Sequence, residues 1–156
     1  MDDVLHSFKS LAPKPAADKM DEVTAEVYHQ LLPDFPVSAI DWVKHTEWIG
    51  PVKIPLDQID FSNRANWVAS HEPKKVNLHI KLIKEGKSKP CILAKLPGHD
   101  KLFIADSHHR ILACEKMGVK PECYIALVKP KDIEACVKMH SLQYSGGSRL
   151  DNLNGT

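Results

Sequence analysis

The sequence predicts an α+β protein: a small sheet packed with helices, preceded by a partly helical N-terminal arm. Three observations carry that expectation. Short apolar runs, "VKIPL", "CILAKL", "KLFIA" and "CYIALV", are interleaved with stretches of helical periodicity. Prolines and glycines punctuate those stretches where helices start and stop: Pro73 and Pro130 at beginnings, Gly86 and Gly118 at ends. A chain of 156 residues with a hydrophobic fraction of 43% forms one domain with a sizeable core.

The elements follow in order. Residues 3–10 are expected to form a short helix, and "LAPKPAADK" a Pro/Ala linker. "MDEVTAEVYHQLL" places Val23, Val27, Leu31 and Leu32 at helical spacing, and Pro33 stops it. "PDFPVSAIDW" reads as a punctuated stretch. "VKIPL" (52–56) reads as a strand, followed by the turn-like "DQIDFSNR". Residues 72–86 carry Val76, Ile80, Leu82 and Ile83 on an apolar stripe, which predicts a helix capped by Gly86. Strands are expected at 91–96, 101–105 and 123–128, and helices at 108–117 and 130–142. The division is therefore an arm at 1–50, a domain at 51–142 and a loose Gly/Ser/Asn-rich tail at 143–156.

Composition narrows the function. No apolar run reaches the ~18 residues of a membrane span, and the acidic start "MDDVLHSFKS" is not a signal peptide. Cys91, Cys114, Cys123 and Cys136 form no C-x-x-C pair, and each sits in an apolar stretch. Buried thiols in a cytoplasmic protein are expected, with neither a zinc ribbon nor a membrane partner. Residues 1–50 hold nine acids and four bases, whereas the remainder holds eleven acids and seventeen bases. Seven lysines fall within 74–95 alone. An anionic ligand for the core and a protein partner for the acidic arm are the implied contacts.

The chemistry concentrates in "IADSHHR" (104–110), where a strand gives way to a helix. Ser107 is expected to cap that helix. The first-turn N–H groups of a helix have no internal partner and carry partial positive charge, so an anion such as phosphate is their usual guest. Arg110 offers a planar fork matched to phosphate oxygens. His108 and His109 offer donors or a proton-transfer group, and Asp106 orients an imidazole or holds Mg²⁺. Two rival readings stand beside this one. A metal site is disfavoured because adjacent helical histidines point about 100° apart. A purely structural pairing of Arg110 with Asp106 remains open.

The stretch from 52 to 128 resembles the ParB/sulfiredoxin superfamily, a small mixed sheet packed with helices. "VKIPLDQI" resembles its first box. "PKKVNLHIKLIKEGKSKPCILAKL" resembles the helix and Pro-led strand, and "KLFIADSHHRILACEKMGVKPECYIALV" the signature strand, turn, helix and closing strand. Sulfiredoxins carry Gly-Cys-His-Arg at this turn; His108 stands at the cysteine position, so their cysteine chemistry is not expected. Partitioning proteins carry Gly-Glu-Arg-Arg and bind CTP, and no helix-turn-helix follows here. Closest is the Asp-Gly-His-His-Arg form of ParB-like nuclease domains in phage proteins and of enzymes similar to free-serine kinases. In that form glycine stands where this chain has Ser107. The resemblance extends to Lys75, in a "PxKVxxL" context near the nucleotide phosphates, and to Arg64 beside Asn63, in place of an Asn-Pro-Arg element.

The resemblance implies ATP, ADP or CTP as ligand, with Mg²⁺, and a location in host cytoplasm or a virion if the chain is phage-encoded. Three functions follow. The first is a nucleotide- or nucleic-acid-binding protein with phosphoester chemistry, a nuclease in its sharpest form. Lys75, Arg64, Ser107 and Arg110 would hold phosphate, and His108, His109 and Asp106 would be catalytic. The second is a small-molecule (amino-acid) kinase using ADP or ATP, with Asp57 or Asp60 as base. The third is a non-catalytic phage structural or host-interaction module. Trp42, Trp48 and Trp67 are either core residues or surfaces for stacking bases.

Overall fold

Side chains alternate in and out along every strand, and the alternation sorts them onto two faces. The computed structural model describes residues 20–144; the short helix expected at 3–10, the linker of 11–19 and the tail beyond 144 lie outside them. Among the described residues there are four strands: β1 (Glu47–Lys53), β2 (Cys91–Lys95), β3 (Phe103–Asp106) and β4 (Glu122–Leu127). There are six α-helices: α1 (Glu22–Leu31), α2 (Val37–Lys44), α3 (Arg64–His71), α4 (Pro73–Lys84), α5 (His108–Met117) and α6 (Ile133–Val137). The protein is thus α+β, as the sequence predicts.

The sheet runs in the order β1-β4-β2-β3. β4 pairs antiparallel with β1 and parallel with β2, Cys123 facing Cys91, and β3 closes the edge antiparallel to β2. The two central strands are apolar on both faces, as expected of strands covered by helices on each side. Trp48, Ile92, Ala94, Ala105, Tyr124 and Ala126 pack with α1, α2 and the segment holding Cys136 and Met139. Ile49, Leu93, Ile104, Cys123 and Ile125 face the other way, toward Ile111 of α5. Beyond α5, Leu112 and Ala113 pack against Val68 of α3 and Val76 of α4. Helices therefore cover both faces of one sheet. All four cysteines are buried and free, in line with the sequence reading.

Residues 20–50 do not form a separate arm. Val27, Leu31, Phe35 and Ile40 are completely buried, and truncating any one of them to alanine would cost about 2–5 kcal/mol. The domain start expected at residue 51 falls inside β1, because Trp48 and Ile49 already supply its inward and outward faces. β1 is then bent by a bulge between Ile49 and Val52. Gly50 is required there: its φ is +113°, and a Cβ would lie 2.5 Å from the Cys123 carbonyl oxygen. Among the described residues no helix is long and apolar enough to cross a membrane.

Three local expectations need correction. The punctuated 33–42 stretch contains α2, with Pro36 at its N-cap, where a missing N–H costs nothing. The turn-like region ends in α3, which begins at Arg64 after Asn63 takes a positive φ of 59°. The long last helix of 130–142 divides into a 3₁₀ turn, α6 and a second 3₁₀ turn at Met139–Leu142.

Candidate functional site

Two helix starts meet beside the edge strand. α5 begins after Ser107, whose φ of 77° and ψ of 36° are left-handed. α3 begins after Asn63, also at positive φ. These are the two non-glycine residues at positive φ among those described. Such backbone strain persists only where surrounding structure imposes it, and it concentrates at ligand sites. Neither residue caps its helix through its side chain. Ser107 thus holds the expected N-cap position without the side-chain capping bond; its backbone takes the conformation that glycine takes most readily, and its Oγ is buried with no hydrogen-bond partner.

Between the two starts and the Met139–Leu142 turn lies a cavity of about 250 Å³, lined on its polar side by Asp60, Asn63, Arg64, His108 and His140. Arg64 is half-buried, and its Nε is sequestered without a partner. His108 is 5% exposed, forms no hydrogen bond with another described residue, and turns its ring toward the cavity. Its neighbours explain its chemistry. Burial, and then the adjoining His140, push its pKa down from 6.5 to about 3, against the opposing pull of Asp106. His108 is neutral at pH 7.

His140 was not singled out by sequence reasoning. Its Nε2 lies 2.8 Å from the Ala105 carbonyl oxygen and 3.2 Å from Asp106 Oδ1. Both neighbours are acceptors, so Nε2 carries the hydrogen and donates it. The ring stands edge-on to His108, with centroids 5.0 Å apart, and edge-on to Phe35. Burial alone would raise the Asp106 pKa, but the His140 hydrogen bond, with the charges of His140, His108 and Arg110, brings it down to about 2. Asp106 is thus a buried carboxylate that fixes His140 behind His108.

The remaining expected residues are placed elsewhere. Arg110 does not face the cavity: it is 3% exposed, and Nη1 donates to the carbonyl oxygens of Lys89 (3.2 Å) and Pro90 (2.8 Å). Its guanidinium ties α5 to the segment that leads into β2, away from the cavity where its phosphate-fork role was expected. Gln30 of α1 donates to the same Pro90 oxygen at 2.9 Å. His109 diverges from His108, as helical geometry requires. Its Nε2 lies 2.9 Å from Glu72 Oε1 and its ring stacks on that of His79, 6.0 Å between centroids. Lys75 pairs with the other oxygen of Glu72. Glu72, absent from the sequence-based site, links these two groups on the far flank of the turn. Burial lowers the His109 pKa, opposed by Glu72. Asp60 lines the cavity, its carboxylate accepting from the Ser62 N–H at 2.9 Å; hydrogen bonding to Ser62, first through its side chain and then through this N–H, lowers its pKa. Asp57, the other proposed base, lies in the 3₁₀ turn Leu56–Gln58 outside the lining.

Among the described residues, no three His, Cys, Asp or Glu side chains are grouped to hold a metal ion by themselves. Asp60 supplies a single carboxylate, which suits a Mg²⁺ carried in by phosphates better than a protein-caged ion. Fold and site together define an α+β protein with a histidine-walled cleft, holding one arginine and one carboxylate, at the junction of two helix N-termini. No family model, no curated protein and no solved structure matches this chain.

Proposed function

We propose that this chain binds a nucleotide through its phosphates in the cleft between α3 and α5 and carries out phosphoester chemistry there, as a ParB/sulfiredoxin-like protein. One observation carries the reading. Two strained helix starts, the Arg64 side chain and an unbonded buried imidazole converge on one cavity. Each favours negatively charged oxygen. The helix starts offer orphan N–H groups and the positive ends of two dipoles. Arg64 offers planar donors. The order of strand, turn and helix over 101–117 is also the one on which the family resemblance rests.

In this reading Arg64 and the first-turn amides hold the phosphate. His108, neutral in the protein alone, gains negative charge beside it when a phosphate arrives, which raises its pKa toward the range useful for proton transfer. It takes the proton of the attacking hydroxyl or water. Asp106 and His140 position it and hold its surroundings fixed. Mg²⁺ would be held by Asp60 and the phosphates and would neutralise developing charge. A nuclease version has one observation in its favour: Lys74, Lys81, Lys84, Lys87 and Lys89 are all exposed, on α4 and the loop after it. A cavity of about 250 Å³ better suits a phosphate-bearing small molecule than a duplex.

A thermal-shift series with ATP, ADP and CTP, with and without Mg²⁺, tests the proposal. A nucleotide at about 100 times its Kd adds about 2.7 kcal/mol of apparent stability. Arg64→Ala is expected to abolish that shift while leaving the melting temperature of the protein alone unchanged. Absence of a shift with every nucleotide would overturn the reading.

A further inference from the structure

The three tryptophans divide sharply. Trp42 and Trp48 are core residues, 5% and 4% exposed, with ring centroids 6.0 Å apart. Trp67 is 47% exposed. It stands on α3, three residues after Arg64 and so nearly on the same helical face. The indole is not a loose surface side chain. His71 stacks parallel to it, centroids 4.7 Å apart and planes at 10°. His71 is itself held, its Nδ1 lying 2.9 Å from the Trp67 carbonyl oxygen and 3.0 Å from Ser70 Oγ. One face of the indole is therefore backed by a fixed ring.

Helical side chains lean toward the N-terminus, so the indole projects over the turn that carries Asn63 and Arg64. Its surroundings on the helix are polar and exposed: Asn63, Asn66, Ser70 and His71. A protein-docking face would present a contiguous apolar patch. A single backed indole among polar groups instead matches one flat, uncharged ring.

We propose that Trp67 is the stacking platform for the base of a mononucleotide whose phosphates are held at Arg64. The inference rests on the reading of the cleft as a phosphate site and adds the part of the ligand that recognises α3. Arg64 grips the charged end, and one turn further along the same helix the indole covers the base. Stacking is tolerant of base identity, since every base has a π face. The site therefore selects nucleotides over inorganic phosphates more strongly than it selects among nucleotides.

Calorimetric titration of the full chain with ATP and with inorganic tripolyphosphate separates the two ideas. The wild type is expected to bind ATP more tightly than tripolyphosphate. Trp67→Ala is expected to weaken ATP by roughly 5- to 150-fold and to leave tripolyphosphate unchanged; Trp67→Phe retains most of the affinity. Because Trp67 is exposed, the alanine variant folds as the wild type does. ATP, but not tripolyphosphate, quenches the solvent-exposed part of the tryptophan emission. If ATP and tripolyphosphate bind equally to wild type and variant, the platform is wrong and the phosphate site stands. If neither ligand binds, both ideas fall. If a short single-stranded oligonucleotide binds far more tightly than ATP, the mononucleotide assignment is overturned.

Discussion

The two helix starts that meet at the cavity are built alike and differ in what surrounds them. Both follow a residue forced to positive φ, and both carry an arginine in the first turn, Arg64 at the first position of α3 and Arg110 at the third of α5. At α5 the environment is closed. Asp106, Ser107, His108 and Arg110 are all at most 5% exposed, and the guanidinium is consumed by two backbone oxygens. At α3 the environment is open. Asn63 is exposed, and Arg64 keeps a donor without a partner. The lesson is a division of labour: the motif that draws the eye in the sequence frames the cleft, and the less conspicuous Asn63-Arg64 start supplies its charge.

Exchanging each arginine for methionine breaks that comparison most forcefully. Arg110→Met deprives the Lys89 carbonyl oxygen of its donor, leaves the Pro90 oxygen to Gln30 alone, and removes a cation from beside a buried carboxylate. Leaving one member of such a group uncompensated costs about 3 kcal/mol. Arg64→Met disturbs no protein hydrogen bond and is expected to change stability by less than about 0.5 kcal/mol. Urea midpoints of the two variants check this; equal midpoints would show that Arg110 is not the structural cation described here.

Next in size is the response to acid. His108 titrates at an ordinary 6.5 when unfolded and at about 3 in the fold. Between those values the unfolded chain binds the extra proton, so stability falls as pH falls through that window. From pH 7 to pH 5 the loss is about 2 kcal/mol. Asp106, lowered from 3.8 to about 2, adds a further loss, but only as pH falls below about 4 and through its folded value. Urea titrations at pH 7 and pH 5 measure the first effect, and His108→Gln is expected to remove most of it. A wild type equally stable at both values would mean that His108 is not held neutral by burial. In the presence of a bound nucleotide the slope should shrink, because the phosphate favours the charged imidazole.

Much of this was legible in the residues. The helix expected at 108–117 and closed by Gly118 is the observed α5, with Gly118 at φ 68°, since strand, turn and C-cap signals all agree there. The divergence of His108 and His109 also followed from helical geometry alone. What sequence reasoning missed has two causes. Prolines at 33 and 36 suggested irregular chain where Pro36 in fact opens α2, and Asn63 hid the start of α3 because its unusual φ has no compositional signal. His140 and Glu72 were missed for a different reason. Each is one polar residue among several, and only the packing of chain segments 34 and 37 residues away brings them to Asp106 and His109. The nearest signal was that both lie at helix boundaries, where side chains are free to reach across.

The smallest change sharpens the comparison at Ser107 itself. An L residue in the left-handed region costs roughly 1–2 kcal/mol relative to the right-handed one, whereas glycine adopts either at little cost. Ser107→Gly removes that strain and also a buried hydroxyl with no partner. Against this stands the greater freedom of glycine in the unfolded chain, about 0.5–1 kcal/mol. The net expectation is a gain of about 0.5–1 kcal/mol, read as a raised urea midpoint with an unchanged slope. Ser107→Ala separates the two contributions, since it removes the hydroxyl and keeps the strain. If glycine stabilises and alanine does not, the strain is what the native serine maintains at the start of α5. If neither variant gains, the hydroxyl has a partner in solution, and the start of α5 is less constrained than that of α3.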